Sequence, residues 1–404
     1  MTFKNLFLTL TTAFLLAATA AAQTVLFHTG DYTGYPYRIP AICTAVNGDL
    51  IALSDIRPCG NDIGYGRVDI LMRTSKDNGA TWSYPVTVLA GTGEGEEAGY
   101  GDACLVADRE RNELLLVCVS GDVPYWSSKI GHTQRIVCTH ARLNERTGRW
   151  EWNKRPIDLT QQVYEGLLGN RINGLFMGSG RICQSRTVKV GDYYRVYGAL
   201  CTHGGNFVIY SDDFGRNWHL LGTPTESCAP KGDEPKCEEL PDGSVLLSSR
   251  KDRGRWFNIF KFTDVKSGAG AWGTPVASDE TPGGIRNEGR ATDGEILLLD
   301  VTEKATGKDL ILALQSVPAG PNRQKVTIYW KPLRTPTDYD TPQHFAEQWE
   351  GQYQVSNTGS AYSTMSLQHD KRIAFFYEEE PAYYQMVYLP LDLETITAGR
   401  YAVK

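Results

Sequence analysis

The sequence has no excess of basic residues. Its 404 residues include 41 lysines and arginines against 47 aspartates and glutamates, which gives a formal net charge of −6. Nucleic-acid-binding domains normally carry a basic face or stripe, so this balance argues against that class. The hydrophobic fraction of 41% is too high for a disordered chain. The length alone allows one large domain or about two to three ordinary ones.

Long apolar runs are missing beyond the amino terminus. There, Lys4 precedes an apolar stretch from Leu6 to Ala18, and small residues follow up to Ala22. A positive start, a short apolar stretch and small residues at its end are typical of a secretory signal peptide. The stretch is too short for a membrane span, and no cysteine follows it to carry a lipid anchor. We therefore expect residues 1–22 to be a signal peptide and residues 23–404 to form one exported domain, periplasmic or secreted.

Metal-ligand and nucleophile motifs are also missing. The seven histidines are scattered, and no two cysteines are separated by two residues, which argues against a structural zinc site. Neither a nucleophile elbow nor an HExxH motif occurs. Of the nine cysteines, four lie inside apolar, strand-like runs: Cys104, Cys118, Cys138 and Cys201. We expect these four to be buried core residues, whereas Cys228 and Cys237 bracket a loop and form the candidate disulfide.

Long amphipathic helices are nearly absent, and short strand-like runs between glycine, aspartate and asparagine turns take their place. The 41 glycines are about one in ten residues, above the usual ~7%. The runs that predict strands are Asp49–Ser54, Arg67–Arg73, Glu113–Val119, Arg195–Cys201, Asn206–Tyr210, Ser244–Ser249, Glu295–Val301, Lys325–Trp330 and Arg372–Tyr377. The best helical candidate is the short segment Pro342–Trp349. Such spacing predicts a sandwich, a barrel or a propeller.

A repeated turn decides among these architectures. The segments Ser75–Trp82 and Ser211–Trp218 share the pattern S-x-D-x-G-x-x-W. Two further segments, Leu143–Trp150 and Thr263–Trp272, match this pattern only in part. In such a turn the aspartate caps backbone N–H groups, the glycine takes a positive φ and the tryptophan packs beneath. Six units of about 64 residues would fill the chain after residue 22, and propellers usually have about 4–8 blades. We therefore predict an all-β fold, a six-bladed β-propeller.

The two turns that match the pattern fully, Ser75–Trp82 and Ser211–Trp218, resemble the Asp-boxes of sialidases. Tyr37-Arg38-Ile39-Pro40 resembles the [F/Y]-R-I-P signature of the same family, and the resemblance runs from about Phe27 to Glu378. It implies a retaining exo-α-sialidase that cleaves terminal sialic acids without a metal or an organic cofactor. Because Asp-boxes also occur in unrelated propellers, the functional assignment depends on the site residues.

The first group of site residues is a set of arginines. Sialic acids carry a carboxylate on the reacting carbon, and guanidinium groups bind carboxylates bidentately while staying charged. The resemblance implies that Arg38, Arg250 and Arg323 form this substrate-binding triad. Arg334, which lies just past the next strand, is the alternative to Arg323.

The second group performs the chemistry. Asp62 follows Arg57 by five residues, as the acid/base aspartate does in the family, and Arg57 would contact the C4 side of the sugar. Ala361-Tyr362-Ser363 resembles the Tyr-Ser of the family's nucleophile, and sialidases are the exception among retaining glycosidases in using tyrosine. A neutral phenol is not repelled by the substrate carboxylate, but its pKa near 10 requires a base within reach.

Two glutamates complete the implied site. Glu234 precedes Arg250 by 16 residues, a family-like interval, and is the implied base, with Glu238 and Glu239 as alternatives. Phe376-Tyr377-Glu378 resembles the strand end whose glutamate braces the first arginine. We therefore expect Glu378 to hold Arg38 in place.

Two other functions stay open at this point. One is an inactive Asp-box propeller that binds glycans or proteins, and the other is a hydrolase of a related nonulosonic acid, such as a deaminated one. The complete set of site residues favours an enzyme, because a mere scaffold has no reason to keep it. The expected partners are sialylated glycoconjugates, with no nucleic acid and no membrane span, and we expect a monomer.

Overall fold

The computed structural model describes residues 23–31, 33–230, 232–380 and 384–404. The predicted signal peptide lies outside these ranges. Strands account for 50% of the structure and helices for 8%, and each of the nine predicted runs overlaps a strand. The predicted helix is present but shorter, Pro342–Ala346.

The strands form six sheets of four to six strands, which are the six blades of a β-propeller. Blade one comprises Tyr37–Thr44, Leu50–Ile56, Asp69–Ser75 and Val86–Leu89. Blade two comprises Tyr100–Ala107, Glu113–Ser120, Arg135–Asn144, Arg149–Trp152, Ile157–Asp158 and Gly180–Arg181. Blade three comprises Leu175–Met177, Cys183–Val190, Tyr193–Thr202, Gly205–Ser211 and His219–Leu221.

The second half of the chain builds the other three blades. Blade four comprises Pro235–Glu239, Val245–Lys251, Gly254–Asp264, Ala269–Trp272 and Val276–Ala277. Blade five comprises Ile296–Glu303, Lys308–Gly320, Gln324–Leu333, Gly351–Gln354 and Tyr401–Val403. Blade six comprises Ser360–Leu367, Ile373–Glu379, Gln385–Leu391 and Thr24–His28.

Helical segments are short and lie between strands. They are Gly95–Glu97, Tyr125–Ser127, Gln162–Leu167, Ser278–Glu280, Pro336–Asp338, Pro342–Ala346 and Leu393–Ile396. Within the described ranges, no helix is long and apolar enough to cross a lipid bilayer.

Among the described residues, each pair of adjacent blades encloses a large hydrophobic cluster, and a small seventh cluster of Ile39, Ala361 and Tyr362 lies between blades six and one. Because both faces of a blade pack against neighbours, its inner strands must be apolar on both sides. The strand Glu113–Ser120 is accordingly buried at every residue. This explains why the inner strands appear in the sequence as nearly continuous apolar runs.

The ring closes through strands from both ends of the described chain. Thr24–His28 pairs antiparallel with Gln385–Leu391 and so completes blade six. The last strand, Tyr401–Val403, pairs with Ile296–Glu303 in blade five. The two ends therefore lie in neighbouring blades, and strand pairing between distant parts of the sequence holds the ring together.

The repeated turns precede the outermost strands of blades one and three. Asp77 Oδ1 accepts a hydrogen bond from the N–H of Thr81 at 2.8 Å, and the indole of Trp82 donates to a backbone carbonyl of the same turn at 3.2 Å. Asp213 and Trp218 make the equivalent contacts at 2.8 and 3.1 Å. Neither aspartate lines the central pocket, and each makes its hydrogen bonds within its own turn.

The cysteines correct one expectation from the sequence. All nine are free, and eight of them are buried. The predicted disulfide is wrong, because Cys228 and Cys237 are unbonded thiols in the apolar cluster between blades three and four. There they act as small apolar side chains, as Cys104, Cys118, Cys138 and Cys201 do elsewhere in the core.

Candidate active site

A pocket of about 310 Å³ lies on the propeller axis, since residues from all six blades line it. In blade order they are Arg38, Asp102, Phe176, Glu234, Arg323 and Tyr362, with further residues from the loops between strands. All of the sequence-predicted site residues except Glu378 line this pocket, and Glu378 lies directly behind Arg38.

Irregularities in the innermost strands turn three side chains into the pocket. The strand register shifts after Arg38 in blade one, around Asp102 in blade two and around Tyr362 in blade six. A β-bulge bends the strand and re-aims a side chain. The same kind of strand irregularity thus directs a cation, a carboxyl group and a phenol into one pocket.

The three predicted arginines converge on the phenol. The guanidinium carbons of Arg38 and Arg323 lie 5.4 and 5.8 Å from the centre of the Tyr362 ring. Arg250 lines the same pocket and lies 2.7 Å from Glu234. Although burial disfavours its charge, Glu378 holds the pKa of Arg38 above its usual value.

The alternative third arginine, Arg334, does not line the pocket. It is bound to Glu303, Glu350 and Tyr401 in blade five. Arg323, by contrast, lines the same pocket as Arg38 and Arg250.

The phenol and a buried carboxylate form the centre of the site. The hydroxyl of Tyr362 donates to Glu234 Oε1 at 2.5 Å, and Glu234 Oε2 accepts from Arg250 at 2.7 Å. Burial and the nearby charge of Glu234 raise the pKa of Tyr362 well above its usual value, against the effect of the arginines. The phenol is therefore neutral at rest and can act as a nucleophile only if its proton moves to Glu234.

The two alternative glutamates point elsewhere. Glu238 accepts from Arg181 at 2.5 Å, and Glu239 accepts from Ser185 and Thr187 at 2.5 and 2.9 Å. Of the three candidates, only Glu234 contacts the phenol.

Asp62 lies at the mouth of the pocket, with its side chain 61% exposed. Its carboxylate is 3.2 Å from Arg57, whose buried guanidinium is also 3.1 Å from Asp55 and 3.9 Å from Asp102. Burial, together with the negative charges of Asp62 and Asp55, raises the pKa of Asp102 well above its usual value. One cation thus faces three carboxyl groups of different exposure.

Sequence reasoning missed Asp55 and Asp102. Both lie within apolar strands, Leu50–Ile56 and Tyr100–Ala107. A carboxylate inside such a run is a signal that could have been used, because it is rarely buried without a partner.

Blades two and three supply a different wall, which sequence reasoning also missed. A loop between strands of blade two contributes Pro124, Tyr125, Trp126 and Gln134, and blade three contributes Phe176. The rings of Tyr125 and Phe176 meet edge to face, with their centres 4.9 Å apart. These five side chains are uncharged, and three of them are aromatic, in contrast to the arginine side.

The arrangement has three chemical capacities. A cluster of cations can bind a carboxylate, a phenol and its carboxylate partner can generate a nucleophile, and an exposed carboxyl group can exchange protons with a ligand. Their presence in one pocket of small-molecule size indicates an enzyme site.

Comparisons with known proteins point to one family. No protein-family model matches the chain. A sialidase from Micromonospora viridifaciens is 30% identical over 307 residues, which are 73% of this chain and 42% of that protein. A sialidase from Bacteroides fragilis is 26% identical over 245 residues, which are 56% and 42% of the two chains. The chain therefore spans less than half the length of these two curated relatives.

Solved structures share the fold at lower identity. The Hadza microbial sialidase Hz136 matches with a TM-score of 0.68 at 18% identity, over 89% of this chain and 66% of that one. The leech intramolecular trans-sialidase with 2,7-anhydro-Neu5Ac matches at 0.71 and 14%, over 94% and 71%. Trypanosoma rangeli sialidase with 2,3-difluorosialic acid, a covalent intermediate, matches at 0.62 and 18%, over 88% and 54%. At these identities the likeness establishes the six-bladed fold.

Proposed function

Since the chain is a homologue of bacterial-type sialidases, we propose that it is an exo-α-sialidase. It would hydrolyse terminal sialic acids of glycoproteins, glycolipids or oligosaccharides with retention of configuration. The observation that carries this proposal is the 2.5 Å hydrogen bond between Tyr362 and Glu234, set among three arginines. A propeller that only binds glycans would not need a buried phenol paired with a base.

The arginines would bind the substrate carboxylate. Arg38, Arg250 and Arg323 all line the pocket beside Tyr362. A carboxylate on the anomeric carbon, C2, would then bring this carbon next to the phenol oxygen. A carboxylate nucleophile at that place would be repelled by the substrate's own charge, whereas a neutral phenol is not.

In the first step the Tyr362 oxygen would attack C2. The phenol proton moves to Glu234 Oε1, the bond from C2 to the aglycone oxygen breaks, and Asp62 gives its proton to that leaving oxygen. The product is a sialyl–tyrosine intermediate. The relative from Trypanosoma rangeli, solved as a covalent intermediate with 2,3-difluorosialic acid, supports this class of intermediate.

In the second step a water molecule would attack C2 from the side that the aglycone has left. The Asp62 carboxylate takes its proton, the bond between C2 and the tyrosine oxygen breaks, and Glu234 returns its proton to the phenolate. Two displacements at one carbon retain the configuration. The exposure of Asp62 at the pocket mouth, 61%, suits a group that must meet both an aglycone and water.

The proposal is tested by the product and by the trapped intermediate. Purified protein should release sialic acid from a fluorogenic sialoside, and proton NMR should show the α-anomer first. A 2,3-difluorinated sialic acid should label the protein, and peptide mapping should place the label on Tyr362. The matched control is Tyr384→Phe, which removes a hydroxyl from a ring that Arg38 also covers, at 4.3 Å, and should still be labelled.

Four results would contradict the proposal. A first-formed β-anomer would exclude retention, and a label elsewhere would exclude Tyr362 as the nucleophile. Binding of sialosides without any turnover would favour an inactive glycan-binding propeller instead. Release of a deaminated acid alone would assign the protein to a related nonulosonic acid.

We also propose that the protein is exported after removal of residues 1–22. The amino-terminal sequence of protein recovered from a periplasmic or medium fraction should begin at Gln23. Recovery of the full-length chain only from the cytoplasm would contradict this.

A further inference from the structure

Gln134 has a hydrogen-bonding group that the protein leaves unused. It lines the pocket, it is only 2% exposed, and its carboxamide oxygen has no hydrogen-bond partner among the described residues. Its backbone N–H donates to Ser128 Oγ at 2.8 Å, which fixes the position of the residue. A buried polar group without a partner is costly, so its presence in a binding pocket points to a ligand.

The position of Gln134 in the ring indicates which part of a substrate it meets. Gln134 precedes the third strand of blade two, whereas Arg323 and Tyr362 belong to blades five and six, on the other side of the axis. In a six-membered sugar ring, C5 lies opposite C2. A sialic acid whose C2 and carboxylate lie at Tyr362 and the arginines therefore directs its C5 substituent towards blades two and three.

The wall on that side combines accessible aromatic rings with a buried carboxamide. Trp126 is 83% exposed and the rings of Tyr125 and Phe176 are half-buried, whereas Gln134 is almost fully buried. A substituent directed to this side meets a wall that holds both the rings and the carboxamide. The acyl end of an acylamido group at C5 is the part of the substrate that this wall would contact.

We propose that Gln134 is a specificity-determining residue that selects an N-glycolyl group over an N-acetyl group at C5. This inference rests on the proposed sialidase function. An N-acetyl group ends in a methyl, which excludes water and leaves the carboxamide oxygen unpaired. An N-glycolyl group ends in a hydroxyl, which donates to that oxygen. Sites built to bind a hydroxyl discriminate strongly against the analogue that lacks it.

The test compares two aryl sialosides that differ only in this hydroxyl. We expect kcat/KM of the wild-type protein to be about tenfold or more higher for the N-glycolyl substrate. Gln134→Met keeps the volume but removes the carboxamide, and should reduce this ratio to about one, chiefly by a loss with the N-glycolyl substrate. Should this variant not fold, Gln134→Asn withdraws the amide by one methylene and is expected to lower the ratio in the same direction.

Gln368→Met is the matched control. Gln368 is also 2% exposed and also has an unpaired carboxamide oxygen, but it lies outside the pocket. Its replacement should leave the substrate ratio unchanged, even if it lowers stability.

The outcomes separate the two proposals. A wild-type ratio of one or below overturns the role of Gln134 while leaving the sialidase proposal intact, and so does an equal loss with both substrates in Gln134→Met. Failure of the wild-type protein to cleave either substrate overturns the proposed function itself, and the inference with it.

Discussion

Arg38 and Glu378 are joined by two hydrogen bonds, from Nε to Oε1 at 2.8 Å and from Nη2 to Oε2 at 3.4 Å. The same Oε1 accepts the N–H of Ile39 at 2.8 Å, and Ile39 has a φ of 62°. A β-branched residue in that left-handed region costs about 1–3 kcal/mol. The fully buried carboxylate thus stabilises a strained backbone and, through it, the direction of the Arg38 side chain.

Replacement of Glu378 by glutamine should therefore harm binding and stability together. The amide cannot balance the Arg38 charge, and breaking a buried ion pair typically costs about 3–5 kcal/mol. We expect KM for a sialoside to rise at least tenfold and the free energy of unfolding to fall by about 3 kcal/mol, measured by kinetics and urea denaturation. Glu379→Gln, one residue further, should change neither by as much. An unchanged KM would show that Arg38 binds substrate without the Glu378 carboxylate to hold its guanidinium in position.

The two candidate third arginines can be separated by one substitution each. Arg323→Ala should weaken substrate binding at least tenfold, because loss of a charged hydrogen bond costs about 1.5–3 kcal/mol. Arg334→Ala removes the contacts to Glu303 and Glu350 in blade five and should leave kcat/KM within about twofold, since Arg334 does not line the pocket. Equal losses in the two variants would contradict the assignment of Arg323.

The fold was predictable because short sequence patterns for turns and strands recur along the chain of a propeller. The tight turns at Asp77 and Asp213 and the apolar inner strands are both encoded within a few residues, and their spacing yields the number of blades. The predicted disulfide failed for the opposite reason. The spacing of Cys228 and Cys237 along the chain shows only that the two lie close in sequence, whereas their burial in a shared apolar cluster depends on the packing of two blades.

The site was predictable only where a residue lies in a motif. Arg38 and Tyr362 are embedded in short patterns, and the structure brings them to the same pocket. Asp102 and Gln134 have no such pattern, because their positions depend on a strand irregularity in one case and on a loop of blade two in the other. An aspartate inside the apolar strand Tyr100–Ala107 signals a buried carboxyl group with a partner, but the sequence does not report the direction of the Asp102 or Gln134 side chain.

Tyr362 and Glu234 should behave as a single unit in mutagenesis. Tyr362→Phe removes the phenol hydroxyl, so no proton is left for Glu234 to accept. Adding Glu234→Gln then removes a base that has already lost its function. We expect kcat of the double variant to be within about threefold of Tyr362→Phe alone, because residues that act together lose function non-additively. Glu238→Gln, which leaves the Tyr362 contact intact, serves as the control in the same series. Losses that multiply in the double variant would show that Glu234 acts separately from the phenol.

The loss of activity in Asp62→Asn should depend on the leaving group. An aryloxide leaves without protonation, whereas a sugar alkoxide needs a general acid. We expect kcat/KM to fall by about 10²-fold or more for a sialyl disaccharide and much less for an aryl sialoside. Asp233→Asn, at another carboxylate of the pocket, which lies 3.4 Å from Arg250, provides the comparison. Equal losses on both substrates would count against Asp62 as the acid.

Ionisation of the buried Asp102 carboxyl group should lower the stability of the folded protein. Its pKa is raised in the folded protein, first by burial and then by Asp62 and Asp55, against the effect of Arg57. The folded state thus binds this proton more tightly than the unfolded state, so stability decreases as the pH rises above the unfolded pKa of about 3.9. Asp102→Asn cannot ionise and should raise Tm at pH 7 by about 1–3 °C, while kcat/KM falls because a pocket carboxylate is lost.

The pH dependence separates this explanation from a general packing effect. Well below the unfolded pKa of about 3.9 the carboxyl group is protonated in both states, so the difference in Tm between wild type and Asp102→Asn should vanish there. Asp192→Asn, at a side chain that is 88% exposed, should show no comparable gain at either pH. A lower Tm for Asp102→Asn at pH 7 would mean that attraction to Arg57, 3.9 Å away, outweighs the cost of burial. In that case the carboxylate would stabilise the pocket in its ionised form.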